Sequence, residues 1–324
     1  MLPRHGVAFK RGATLLNRQT VPPPDVHVLP NEKTLRVSND SVGIRKLKRW
    51  IVQFDPALVV VEATGKWHRE VQRSLVASGI KVAVVDPYRV RMFAKAQGIL
   101  AKTDRLDARV LALFGLLMSP DVRLPASAAV EELQELVIAR ASTVEEETSL
   151  KNQFASSTCR FLKQHLKRRI ARLTNDIQAL GREILKSIRA DEGLARRYEI
   201  LISVPSFGFV VAATLTACLP ELGACNTKAI AMLAGLAPIA DESGERNGRR
   251  VVWGGRPALR RILYLAALTA KRLNPSSKAL YERLIAKGKP PKAALIAVAR
   301  KLVILANALI SQNRIWQHDA PKHA

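Results

Sequence analysis

Ala57-Leu-Val-Val-Val-Glu-Ala-Thr-Gly65 is the stretch on which the fold turns. Its five leading residues, 57–61, are all apolar. A strand with one wet face alternates apolar and polar side chains, whereas a strand covered on both faces does not. The run therefore predicts a buried parallel strand, closed by a carboxylate and a glycine. Working outward, Lys66 to Ser78 reads as a helix, Lys81 to Val85 as a second strand, and Pro87 through Leu117 as helices. Upstream, Ser41 to Phe54 is an amphipathic helix with Ile44, Leu47 and Ile51 on one stripe. Before it, Asp25-Val-His-Val-Leu alternates as a strand, with Leu35-Arg-Val-Ser as its hairpin partner and Pro30-Asn31 in the turn. Strands alternating with helices make an α/β layer domain over 25–125. Residues 1–24 show neither period and end in three prolines, so they are set apart as an atypical segment.

Downstream the pattern changes. From about Ala126 there is no strand signal, and 126–195 reads as a helical linker. Leu162, Leu166, Ile170, Leu173, Ile177, Leu180, Ile184 and Ile188 recur at spacings of four and three, a coiled-coil seam. Residues 131–147 hold six glutamates and one arginine, while 151–190 hold ten basic and two acidic residues. An antiparallel helical hairpin would set these against each other; a solvated face is the alternative. Residues 196–312 read as a mostly α-helical C-terminal domain with short loops, followed by a tail over 313–324. The uncharged stretch Ile200 to Pro220 is broken by Pro205, Ser206 and Gly208, so it reads as a turn between buried helices and not as a membrane span.

The charge narrows the function. Fifty-two Lys and Arg against 27 Asp and Glu give a formal net charge of +25 over 324 residues. That excess fits a polyanionic partner, DNA or RNA before a membrane. Residues 246–314 alone carry sixteen basic residues and one acid, Glu282. Three scattered cysteines (Cys159, Cys218, Cys225) make neither a disulfide framework nor a zinc site, which fits a reducing cytoplasm.

Glu62 follows the buried run, at the strand end where α/β sheets bind ligands. Asp104 and Asp107 lie one helical turn apart in Lys-Thr-Asp-Arg-Leu-Asp-Ala, 102–108. A solvated strand-end acid and an ordinary helix cap are the alternative readings of these positions. Together, a strand-end carboxylate and a helical pair are the hard oxygen donors with which phosphoryl-transfer enzymes hold Mg²⁺. Ser243 lies in the turn-rich loop 241–250; it is a candidate nucleophile or a plain surface serine. Arg246, Arg249, Arg250, Arg256, Arg260, Arg261, Lys271 and Arg272 are candidate phosphate contacts. Ser203-Val-Pro-Ser-Phe-Gly208 reads as a helix-hairpin-helix turn or a plain connector. Trp253, Tyr264 and Tyr281 read as packing residues, and His27, His68 and His165 as isolated.

Glu-Ala-Thr-Gly at 62–65, Lys-Thr-Asp-x-x-Asp-Ala at 102–108, Leu-Ala-Gly-Leu-Ala-Pro at 233–238 and Glu-Ser-Gly at 242–244 occur in that order. In these motifs the chain resembles the insertion sequence 110 family of DEDD transposases, over about residues 25–312. The resemblance implies a RuvC-like (RNase H-like) domain, a coiled-coil linker and a C-terminal transposase domain. It implies Mg²⁺ held by Glu62, Asp104 and Asp107 as the last three acids of the DEDD set, and Ser243 as the residue that links covalently to DNA. It also implies strand exchange guided by a bridge RNA, in a homo-oligomer. Two departures stand out. The family's first acid lies on an opening strand, yet residues 1–24 contain no acid, and Gly12-Ala-Thr-Leu-Leu-Asn-Arg-Gln19 stands in that strand's place. Ser206 stands where the family's turn commonly has glycine. A nucleic-acid-binding relic without cutting activity, and a RuvC-like junction nuclease using water, are the competing readings.

Overall fold

The apolar run is an inner parallel strand, as its pattern dictates. In the computed structural model, residues 6–10, 25–38, 40–64, 66–100, 103–122, 124–239, 242–243, 246–247 and 251–317 are described. The chain divides into two units, Met1–Ala126 and Ser127–Ala324. The first contains β1 (Gly6–Lys10), β2 (Asp25–Leu29), β3 (Lys33–Arg36), α1 (Ser41–Val52), β4 (Leu58–Glu62), α2 (Lys66–Val76), β5 (Val82–Val85), α3 (Pro87–Ala96) and α4 (Asp104–Met118). The five strands form one sheet in the order β3-β2-β1-β4-β5. β1 runs antiparallel to β2 and parallel to β4, and β4 is parallel to β5.

The central strand β1 corrects the reading of 1–24 as free of strand. It lies at 6–10, ahead of the Gly12–Gln19 stretch, and residues 11–24 lie outside the described residues. Gly-Val-Ala-Phe-Lys is too short, and too rich in small residues, to show a period.

Side chains alternate along each strand, so the sheet has two faces. Val26, Val28, Val59, Val61 and Val82 meet Ile44, Leu47 and Ile51 of α1 and Val71 and Leu75 of α2. Leu29, Val60 and Val85 meet Val90 and Ala94 of α3 and Val110, Leu111 and Phe114 of α4. Glu62, two residues beyond Val60, therefore belongs to the face under α3 and α4. Asp40, Asp86 and Thr103 cap α1, α3 and α4 through their side-chain oxygens. Gly115 lets α4 ride close on the sheet, since a Cβ there would lie 2.6 Å from Val60 Cγ2.

The second unit opens with α5 (Ala128–Ser156) and α6 (Arg160–Ala190), two long antiparallel helices. Arg169 pairs with Glu146 at 3.1 Å, and the Thr174 hydroxyl donates to Glu147 at 2.6 Å. The expected charge match thus forms between Arg169 and Glu146, while Glu145 pairs with Arg261. The 4,3 seam is buried at Leu166, Ile184 and Ile188 and half-buried between them. At the hairpin base, Leu133, Val137, Ile184 and Ile188 pack with Leu194, Ala213 and Ala217. The helices expected as a linker are thus packed into this unit.

Then follow α7 (Glu192–Ile202), α8 (Phe209–Cys218), α9 (Thr227–Leu233), β6 (Pro238–Ile239), β7 (Glu242–Ser243), β8 (Arg246–Asn247), β9 (Val251–Val252), α10 (Pro257–Leu273), α11 (Pro275–Ala286) and α12 (Pro291–Ser311). α12 is the one helix among the described residues long and apolar enough to cross a membrane. Leu295, Val298, Leu302, Val303 and Leu309 along it are buried in the unit's main core. The Asn307 amide on the same helix is satisfied, accepting from Gly223 N at 2.7 Å and donating to the Cys225 carbonyl at 2.8 Å.

The α7–α8 connector explains the second departure. Val204 and Phe207 anchor it in the core, and Ser206 is held at φ +134°, a region that favours glycine. The Ser206 hydroxyl is also buried without a partner among the described residues. Ser206→Gly is therefore expected to raise unfolding free energy by about 1–2 kcal/mol, measured by urea melts.

Candidate functional site

Glu62 ends β4, and Asp107 stands in the first turns of α4. They are 8% and 7% exposed. Both line one cavity of about 320 Å³, with Pro87, Tyr88, Val90, Arg91 and Ala94 of α3 and Val110 of α4. The parallel sheet brings Glu62 to its carboxyl edge, and the close seat of α4 lays Asp107 over it. Behind Glu62, the Thr64 N–H donates to His68 Nδ1 at 3.1 Å, tying the loop after β4 to α2. His68 thus fixes the loop that follows Glu62 and is not isolated. Asp104 begins α4 one turn before Asp107, and its side chain lies outside the described residues.

The register shows which β1 residue stands next to Glu62. Phe9 pairs with Val61, so Lys10 is the β1 position beside Glu62, and Lys10 pairs on its other side with Asp25. In register, Asp25, Lys10 and Glu62 therefore occupy adjacent positions on three neighbouring strands. Asp25 is two strands from Glu62, about 10 Å, and is already paired with Arg36 at 3.2 Å. The donor set suits one hard divalent cation held by two carboxylates, with water or substrate oxygens completing its shell. Among the described residues no three ligating side chains gather as a metal group.

Beside this cavity is a second, of about 330 Å³, lined by His27, Glu32, Thr103, Leu106 and Arg109. His27, expected to be isolated, is buried with Nε2 3.1 Å from Glu32, and Arg109 of α4 reaches the same carboxylate at 3.3 Å. The Arg109 hydrogen bond holds the Glu32 carboxyl below its usual range. This cluster ties the β2–β3 hairpin tip to the helix that carries Asp107.

In the second unit, the loop read as turn-rich is a β-arm. β6 pairs with β9 and, farther out, β7 pairs with β8, with Ser243 opposite Arg246 in the last ladder pair. The side chains of both, and all of Arg249 and Arg250, lie outside the described residues. At the arm's base Gly235 (φ +67°) meets Gly255 (φ +62°), where a Cβ on Gly255 would fall 2.3 Å from Gly235 N. The Leu-Ala-Gly-Leu-Ala-Pro motif thus supplies a backbone clasp, which sequence reading missed. Arg260 Nη1 donates to Gly254 O at 3.0 Å across the same base. Arg256 makes a two-pronged pair with Glu221 at 2.8 and 2.5 Å and donates to Cys218 O at 2.7 Å. Arg256 and Arg260, expected at phosphates, are engaged in holding the arm. Arg261 pairs with Glu145, and Lys271 lies over Tyr281 at 4.8 Å. Arg272 is exposed and makes no ion pair among the described residues. Tyr264 and Tyr281 pack on the core as expected, but Trp253 at the arm's root is 64% exposed.

Two family models match the chain. One, described as a transposase of the DEDD type, covers residues 27–166. The other, described as "Transposase IS116/IS110/IS902 family", covers residues 198–282. The chain is 27% identical over 289 residues to the pilin gene-inverting protein of Moraxella bovis, covering 86% of this chain and 88% of that protein. The protein of the same name from Moraxella lacunata is similar at the same identity and coverage. A 42 kDa protein of insertion element IS900 from Mycobacterium paratuberculosis is 32% identical over 157 residues, covering 45% of this chain and 38% of that protein.

Proposed function

Because the chain belongs to the IS110 family of transposases, we propose that it exchanges DNA strands through a metal-assisted serine. The observation that carries this reading is the convergence of two buried carboxylates, Glu62 and Asp107, on one cavity of a RuvC-like first unit. When bound there, magnesium supplies charge neutralisation at the scissile phosphate. Glu62 and Asp107 would hold and orient it, with Asp104 as the third ligand. Ser243, at the end of the β-arm, is the nucleophile. Its Oγ forms a bond to phosphorus and releases its proton to solvent. The bond from phosphorus to the deoxyribose oxygen breaks, and that oxygen takes up a proton. A sugar hydroxyl of the second strand then displaces Ser243 and restores it. Arg246, Arg249, Arg250 and Arg272 neutralise phosphates, which makes binding fall steeply with salt. Arg256 and Arg260 position the arm, and the α5–α6 hairpin is the coiled-coil element. A guide RNA, a homo-oligomer that holds two DNAs, and work at the nucleoid in the cytoplasm complete the reading. Denaturing a reaction of full-length protein, element DNA, its RNA and Mg²⁺ tests it: a DNA-linked protein supports the reading, and cut DNA with no linked protein favours the junction nuclease.

One observation favours a second reading, the non-cutting relic. β1 carries no acid, and Lys10 is the residue beside Glu62. On that reading Lys10→Asp is expected to raise Mg²⁺-dependent strand cleavage by about 10²-fold or more. Equal cleavage by both proteins would show that the absent acid is dispensable.

A further inference from the structure

Two buried carboxylates repel the anion on which they are meant to act. A divalent cation between them cancels their charge, but a DNA phosphodiester adds one more negative charge to a partly dry cavity. Such a site needs a positive group of its own. Among the described residues lining the Glu62–Asp107 cavity, Arg91 is the one cation. It stands one turn after Tyr88 on α3, with both side chains on the cavity wall. Its guanidinium donates to the Leu100 carbonyl at 3.4 Å, a long bond that aims the head toward the segment preceding α4. That segment leads to Thr103, the cap of the helix carrying Asp104 and Asp107. Arg91 makes no ion pair with any described residue, unlike Arg109 and Arg256, whose charges are met by Glu32 and Glu221. A guanidinium that is charged, held on one side by a weak bond and left without an anion fits a phosphate oxygen.

We propose that Arg91 is a catalytic residue that grips the scissile phosphodiester of DNA at the Glu62–Asp107 cavity. The assignment rests on that cavity being the metal-dependent centre. With metal on the carboxylates and DNA on Arg91, one phosphate meets both, so DNA and metal each tighten the other's binding by the same factor. Arg91 carries the DNA half of this coupling and none of the metal half.

The test measures Mn²⁺ affinity of the full-length protein by electron paramagnetic resonance, with and without a short duplex of element DNA. The wild type is expected to bind Mn²⁺ about tenfold more tightly with DNA, an effect of the size of one charge-assisted contact. Arg91→Ala is expected to keep its DNA-free affinity within about twofold and to lose the DNA-dependent gain. Arg91→Lys is expected to recover part of it, since a point charge replaces a fork. If Arg91→Ala binds Mn²⁺ normally and retains the full gain, the role of Arg91 is overturned while the metal centre stands. If the wild type binds no Mn²⁺, or Glu62→Gln and Asp107→Asn bind it as the wild type does, the centre itself is overturned and the role of Arg91 with it.

Discussion

Ser243→Ala is expected to abolish the denaturation-resistant link between protein and DNA and to slow strand exchange about 10³-fold or more, as loss of a nucleophile does. DNA binding in a gel shift should stay within about twofold, because no charge is removed. Folding should also be intact. Ser243 belongs to a two-residue ladder at the far end of the arm, whereas the arm is fixed at its base by Gly235 against Gly255 and by Arg256 on Glu221. Thermal melts separate a chemical loss from a folding loss. The same variant divides the competing chemistries: a nuclease that used water would cut at the wild-type rate without Ser243.

Glu62→Gln and Asp107→Asn are each expected to lower Mg²⁺-dependent cleavage by about 10²–10³-fold, measured as an initial rate across a magnesium titration. The neutral amides keep shape and cannot supply an anionic oxygen to the cation. The double variant should be little worse than either single one, since residues that share one ligand act as a unit. Thermal melts of each variant separate a loss of metal binding from a loss of fold at these two buried positions.

The α/β layer was legible because burial on both faces leaves a continuous apolar run, and 57–61 is such a run. Helix α1 was legible from a stripe that the structure buries, Ile44, Leu47 and Ile51. β1 was hidden because five residues with two small ones carry no period. The β-arm was hidden for a related reason: its ladders are two residues long and set in polar, glycine-rich sequence. Glu62 and the Asp104–Asp107 pair stood out by type and spacing, yet their approach is a tertiary event, set by α4 riding over Val60 on Gly115. Arginines were the least legible of all. In a chain of net charge +25 one more arginine carries no signal, so Arg256 read as a phosphate contact until Glu221 was found beside it. Arg91 is set apart from the other arginines by its place on the cavity wall, a tertiary feature.

The most direct test of the account is to trap the wild-type protein on its element DNA with the cognate RNA, in Mg²⁺ or in EDTA, then denature, digest and map the linkage by mass spectrometry. The account predicts a phosphodiester adduct on Ser243 that forms in Mg²⁺ and not in EDTA. Cleaved DNA with free ends and no adduct, or an adduct on any other residue, would contradict it.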